Sequence, residues 1–223
     1  MNQLIYITAC VSLVVQLIVA LIGVYGMSLN VNSTYSILKE LLFMETIVQT
    51  IEFVYYIWLI RNIKTAKYEV TFTRYFDWTF STPLMLITSS MYLKASKDSF
   101  QNATKVLPLM YENITPLIQM LCANEVMLIF GYLGEINKLD KFISFIGGTI
   151  AFLITFFIMF IYFLGDSTID QVLFWTMVIV WFFYGIAFLM PYNLKNSIYN
   201  ILDLFSKNGF GLFLFYELYK KSL

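Results

Sequence analysis

Histidine is absent from the 223 residues, which removes imidazole bases, imidazole proton shuttles and most zinc sites. Charge is scarce as well. Lys, Arg, Asp and Glu together make 13% of the chain, about half the share of an ordinary soluble domain, and they cancel to zero. No basic tail or patch suggests nucleic acid as a partner. Only two cysteines occur, Cys10 and Cys122, both inside apolar runs and without ligand spacing. They read as buried small hydrophobes rather than a redox pair. The apolar N-terminus has neither a basic lead-in nor a small-residue cleavage site, so it reads as a first membrane span. No His, Cys or Ser constellation of a hydrolase is present, and no enzyme activity is expected.

What the chain has instead is apolar length: 60% of residues are hydrophobic and 19% aromatic. A span needs about 20 mostly apolar residues. Seven such stretches occur, at 4–26, 34–60, 73–95, 107–134, 140–164, 169–190 and 195–219. The connections are short, and nothing resembles a linker, a repeat or a second domain. The expected architecture is a single all-α integral membrane domain over residues 1–223, seven transmembrane helices in a lipid bilayer. Lys and Arg do not fix its orientation. Arg61, Lys64 and Lys67 between the second and third spans balance Lys94, Lys97 and Lys105 between the third and fourth.

Ionisable residues inside the spans carry the functional information. Glu45 and Glu52 lie in the second span, Arg74 and Asp77 in the third, Glu125 in the fourth, Asp203 and Lys207 in the seventh. Each costs about 2.5–3.5 kcal/mol at the bilayer centre on insertion scales, unless paired or facing water. Lys207 sits mid-span, with Asp203 one turn earlier on the same face. A lysine so placed is either a structural ion-pair partner or the amine of a Schiff base. Charge and spacing alone leave both readings open, with the structural one slightly ahead.

The letters around these residues tip the balance. The third span reads RYFDWTFSTPLML and the seventh LDLFSKNGFGLF. Together they resemble the microbial rhodopsins, whose third helix carries Arg-Tyr-x-Asp-Trp followed by Thr-Pro-Leu. Their seventh helix carries Asp-x-x-x-Lys. Trp181 and Tyr184 in the sixth span, and Met127 and Gly131 in the fourth, extend the likeness over all seven spans. The resemblance implies a photoreceptor with all-trans retinal bound covalently to Lys207, and Asp77 and Asp203 as counterions balanced by Arg74. Trp78, Thr82 and Met85 share one face of the third span, and Trp181, Tyr184 and Phe188 one face of the sixth. Stripes of this kind are more often packing core. Opposite a Schiff-base lysine they become the walls of a retinal slot, completed by Met127 and Gly131. Departures are also evident. The family's usual Tyr-Pro is Tyr184-Gly185, its second tryptophan there is Phe188, and its tryptophan in the fifth span is missing near Gly147 and Gly148.

Function within the family is read from what each type of member needs. An outward proton pump needs a cytoplasmic donor, but that position holds Thr88, and PYNLKNSIYN lacks the release glutamates of bacteriorhodopsin. A pump is therefore disfavoured. A channel needs a wet path. Glu45, Gln49, Glu52 and Tyr56 form one polar stripe at i, i+4, i+7 and i+11, and Ser12 and Gln16 share a face of the first span. Ser206-Lys207-Asn208 matches the tripeptide of channelrhodopsins, where a first-helix serine, a second-helix glutamate and this asparagine form a gate. The matching positions here are Ser12, Glu45 or Glu52, and Asn208. In that role Glu52→Gln is expected to alter current while leaving the colour unchanged. The short chain is similar in form to the small viral rhodopsins. The expected function is thus a light-gated channel for monovalent cations, with an outward proton pump or a photosensor acting through a partner as competitors. Family members occur as monomers and as several homo-oligomers, so self-association stays open. The resemblance places the N-terminus outside a plasma or host-cell membrane. It also pairs Asn124 with Thr82 and assigns Glu125 no role.

Overall fold

The computed structural model describes residues 3–63, 69–101 and 105–222. Lys64 and Lys67 of the charge count lie outside these residues. Nine α-helices occur among them: α1 (Gln3–Ser28), α2 (Ser36–Asn62), α3 (Arg74–Lys97), α4 (Val106–Glu112), α5 (Ile114–Glu135), α6 (Lys141–Tyr162), α7 (Thr168–Phe188), α8 (Tyr192–Asp203) and α9 (Gly209–Ser222). The fourth expected span is divided at Asn113, where a short α4 precedes α5. In the seventh, α8 and α9 are joined through a π-helical turn, Leu204–Asn208, which contains Lys207. A π turn adds a residue to the helical repeat and re-aims the side chains on it, as helices often do at functional sites.

Local chemistry sets the starts of the helices. Asp140 accepts hydrogen bonds from the amides of Phe142 and Ile143 at 2.9 and 3.1 Å, capping α6. Ser167 accepts from the Asp170 amide at 3.1 Å and caps α7. Glu40 on α2 reaches across to the Val106 amide at 2.8 Å, satisfying the first turn of α4 from another helix. Pro191 precedes α8, where its missing N–H loses no helical bond.

Five helices, α1, α2, α5, α6 and α7, are long and apolar enough to cross a membrane by hydropathy alone. Helix α3 and the α8–α9 rod carry more polar residues, and those are the ones turned inward. The packing runs as a ring: α1 against α2, α2 against α3, α3 against α5, α5 against α6, α6 against α7, α7 against α8, and α8 and α9 back against α1. The seven rods form a closed bundle with short connections. The end carrying Gln3 also carries Asn62, Arg74, Glu135, Phe188 and Tyr192; the opposite end is here called the Lys97 end.

Burial is inverted relative to a soluble protein. Leu4, Ile7, Val11, Val14, Leu17, Ile18 and Leu21 of α1 are exposed, whereas Ser12 and Gln16 are fully buried. An exterior of leucine, isoleucine, valine and phenylalanine is stable only against lipid tails. The cysteines correct their expectation: Cys10 is half-buried and Cys122 exposed. In a membrane the outer surface is as apolar as the core, so a hydrophobic neighbourhood does not imply burial.

Candidate functional site

Lys207 is buried at the centre of the bundle, and its ammonium is surrounded by three carboxylates. It is hydrogen-bonded to Glu52 Oε1 and lies 3.1 Å from Asp77 Oδ2 and 3.7 Å from Asp203 Oδ1. These acids come from α2, α3 and α8. The residues nearest each fix its direction. Gln16 Nε2 donates to Glu52 Oε2, tying α1 to α2. Tyr56 and Tyr184 donate to Asp203 Oδ2 and Oδ1, each at 2.6 Å. The Tyr184 hydroxyl is also 2.8 Å from Ser206 Oγ.

Arg74 lies one step toward the Gln3 end, fully buried, with NH1 3.6 Å from Asp203 Oδ2. Two asparagines of α8 hold it. Asn196 accepts from Nε at 3.2 Å through its side chain and from NH2 at 3.3 Å through its carbonyl, and Asn200 Oδ1 accepts from NH2. The guanidinium also stacks over Tyr55 and Tyr199, at 5.7 and 5.5 Å from their ring centres. Three carboxylates face two cations, so the formal charge of the group is one negative in excess. Buried ions on this scale persist only when each is paired and hydrogen-bonded.

On the far side of Lys207 an apolar slot opens. Its walls include Tyr75, Trp78, Thr82 and Met85 of α3, Met127, Leu128 and Gly131 of α5, Phe145, Gly148, Thr149 and Phe152 of α6, and Trp181, Tyr184, Gly185 and Phe188 of α7. Its floor is Ser206 and Lys207. Gly131 is required by close approach: a Cβ there would lie 2.6 Å from the Tyr75 hydroxyl oxygen. A long, flat, apolar molecule with one reactive carbon at its end fits a slot of this lining. Its end would meet the single amine, already surrounded by counter-charges.

A family model, bacteriorhodopsin-like protein, matches residues 8–221. The chain belongs to this family. Among solved structures, the viral rhodopsin OLPVRII superposes with a TM-score of 0.87 at 22% identity, covering 98% of this chain and 99% of that one. Blue light-absorbing proteorhodopsin from Med12 gives 0.77 at 22% identity, with 97% of each chain covered. Halorhodopsin, a light-driven chloride pump, gives 0.75 at 16%, covering 99% of this chain and 97% of that one. None of the curated proteins compared matches the chain in sequence. At these identities the structures share the bacteriorhodopsin-like fold.

Every residue that the sequence assigned to a retinal slot, Trp78, Thr82, Met85, Met127, Gly131, Trp181, Tyr184, Phe188 and Lys207, lines this one cavity. Where the family's α6 tryptophan is missing, Gly148 lines the slot and Gly147 faces the Phe130 ring instead. Asn124 donates to Thr82 Oγ1 at 2.9 Å, joining α5 to α3, and also to Glu125 Oε1 at 3.3 Å.

The residues matched to a channel gate by resemblance are placed differently from one another. Glu52 reaches Lys207 itself. Ser12 donates to the Asn200 carbonyl at 2.8 Å, and Asn208 Nδ2 reaches the Asp203 carbonyl at 3.5 Å. Glu45 stays deeper on α2, and both of its oxygens lack partners, as do both polar atoms of Gln49, Gln16 Oε1 and Asn208 Oδ1. Glu45 Cγ and Gln49 Nε2 both flank Gly211, where a Cβ would lie 3.5 and 3.3 Å from them.

Sequence reasoning missed Asn196 and Asn200 as the holders of Arg74. Their signal was present: Asn196, Asn200, Asp203 and Lys207 fall at i, i+4, i+7 and i+11 on one face of the last span. It also missed Glu52 as a partner of Lys207. Spacing gives a helical face but not its height against a neighbouring helix.

Proposed function

We propose that this bacteriorhodopsin-like protein is a light-gated channel for monovalent cations, with all-trans retinal bound to Lys207 and its N-terminal end outside the cell. Retinal, bound as a protonated Schiff base, supplies visible absorption and a change of shape on excitation. The chain supplies everything else. Asp77, Asp203 and Glu52 keep the Lys207 nitrogen cationic by proximity. Trp78 and Trp181 bracket the slot, and Tyr184 holds Asp203 against the amine through its hydroxyl. When the proton at Lys207 Nζ passes to Asp77, the pairing that ties α2, α3 and α8 to one nitrogen is lost. In this account the release of Glu52 frees α2 relative to α8 and opens the path beside it.

The observation that carries the channel reading is the run of unpartnered polar atoms between α1, α2 and α9. Buried amides and carboxylates without partners are rare, and at a polar site they hold water. Gln16, Glu45, Gln49 and Asn208 thus supply the lining of a wet, cation-favouring path. Chloride transport, known for halorhodopsin, is disfavoured by the three carboxylates around Lys207. Outward proton pumping is the weaker second reading. It is favoured only by Asp77 beside Lys207, since Thr88, at the donor position, turns its hydroxyl onto the Leu84 carbonyl at 2.7 Å. Glu45→Gln tests the path. It should change the size or selectivity of the photocurrent with little change in colour, and an unchanged current would contradict the path.

A further inference from the structure

The wall of the slot between α6 and α7 is built differently from its other walls. Toward the Lys97 end this seam is closed by aromatic rings. Phe156 meets Trp181 edge-on with ring centres 5.5 Å apart, and Phe152 meets Phe182 at 6.3 Å. Toward the Gln3 end Lys141 of α6 holds the other margin. Its Nζ lies 3.5 Å from the Leu189 carbonyl oxygen and 5.6 Å from the centre of the Phe188 ring. Between these margins stand Phe145, Gly148 and Thr149 of α6 and Phe182 and Gly185 of α7, and all five line the slot. None of them is buried: Phe182 is 43% exposed and the other four are half-buried. One set of residues thus faces both the slot and the lipid.

The glycines distinguish the tight seams from this one. A Cβ on Gly134 of α5 would lie 2.7 Å from Ser144 Oγ of α6, and one on Gly147 of α6 would lie 2.5 Å from Phe130 Cε1 of α5. Close approach of α5 and α6 requires both. Gly148 and Gly185 are under no such demand. A Cβ on Gly148 would stand 3.7 Å from the Met127 carbonyl oxygen and 3.9 Å from Phe130 Cβ, ordinary contacts that reach α5 and not α7. A Cβ on Gly185 would meet Phe145 Cε2 alone, at 3.6 Å. Glycine inside a helix weakens it, and here no neighbouring atom compels its use. What these two glycines provide is a gap between α6 and α7, with the Phe145 ring lying against Gly185 as its cover.

We infer that this gap is a lateral window through which retinal passes from the bilayer to Lys207. The inference rests on the retinal attachment proposed above and adds its route. Retinal is an apolar aldehyde and partitions into lipid rather than water. The ends of the bundle offer it a poorer path. Toward the Gln3 end the interior is filled by buried Arg74, bonded to Asn196 and Asn200. Toward the Lys97 end Leu86, Met91, Phe210 and Leu214 are packed in the core. A slot that runs from a lipid-facing seam to Lys207 admits the aldehyde end first and leaves the bulky ring between α6 and α7. Passage needs only that the half-buried Phe145 ring swing aside, a rotamer change that partly exposed side chains make readily.

The test follows the rise of the visible band after all-trans retinal is added to retinal-free membranes holding the full chain. The unmodified protein is compared with G148L, F145A and F157L. Leucine at 148 fills the gap and alanine at 145 removes its cover. The window therefore requires a several-fold slower rise in G148L and a several-fold faster rise in F145A, each normalised to its own final height. Phe157 lies on the lipid face of α6 outside the slot, so F157L keeps the unmodified rate. Opposite shifts from two changes in one seam are not what a general loss of stability produces. If G148L forms no pigment, F145A decides by the same readout. Unmodified rates in both G148L and F145A overturn the window and leave the attachment to Lys207 standing, as does a slowing in F157L equal to that in G148L. An unmodified protein that forms no band overturns the attachment and the window with it.

Discussion

At the scale of single residues, Lys207 concentrates the chemistry. Among the described residues it is the one lysine in the bundle centre, bonded to Glu52 and near Asp77 and Asp203. Lys207→Ala removes the amine at the end of the apolar slot, so the visible band of the retinal-reconstituted protein should vanish; persistent colour would disprove the attachment. Glu52 changes its expected behaviour because of where it sits. A carboxylate beside a light-absorbing cation stabilises charge localised at the nitrogen, and removing it narrows the gap to the excited state. Glu52→Gln should therefore move the absorption maximum to longer wavelength as well as alter the current. A band that stays in place would mean that Glu52 is turned away from the nitrogen in the pigment. The sequence assigned Lys207, Asp77, Asp203 and Arg74 because the Asp-x-x-x-Lys and Arg-Tyr-x-Asp-Trp patterns fix them within single helices. Glu52 was legible as a polar face of α2 and illegible as a partner of Lys207, since that contact depends on helix rotation and height.

At the scale of elements, small residues and one ion pair lock the helices together. A Cβ on Gly134 of α5 would lie 2.7 Å from both Phe188 Cζ of α7 and Ser144 Oγ of α6. Gly134→Ala should destabilise the bundle by about 1–3 kcal/mol through overpacking, read as a lower midpoint for thermal bleaching. Glu135 at the end of α5 receives both oxygens' worth of hydrogen bonds from Lys195 of α8, at 2.7 and 2.8 Å, and the pair is nearly sealed from water. Lys195→Met leaves Glu135 unpaired and should cost about 3–5 kcal/mol, whereas adding Glu135→Leu should restore much of it. A double variant as unstable as the single one would show that the pair matters for more than charge balance. Neither lock was legible in the sequence. Glu135 and Lys195 stand at span ends, where charges are ordinary, and Gly134 is one small residue among many. The division at Asn113 and the π turn at Lys207 were equally hidden, because hydropathy measures length and leaves backbone geometry undetermined.

At the scale of the whole molecule, the bundle is a lipid-facing shell around a polar interior that is asymmetric about its axis. One side of Lys207 is an apolar slot between α3, α5, α6 and α7. The other is a run of amides and carboxylates between α1, α2 and α9. The seven-span reading was available from apolar length, even though α3 and the α8–α9 rod fall outside the hydropathy criterion that α1, α2, α5, α6 and α7 satisfy. Those two are the helices with the richest polar faces, and their polarity is the price of function rather than evidence against spanning. In the proposed account the slot captures light and the polar run passes ions, with Lys207 and its three acids as the coupling between them. That division is tested most directly by voltage clamp of a retinal-supplemented cell illuminated across a range of holding potentials. A photocurrent that reverses sign, with a reversal potential that follows the sodium gradient, is the predicted result; a current that stays outward at every potential would contradict it.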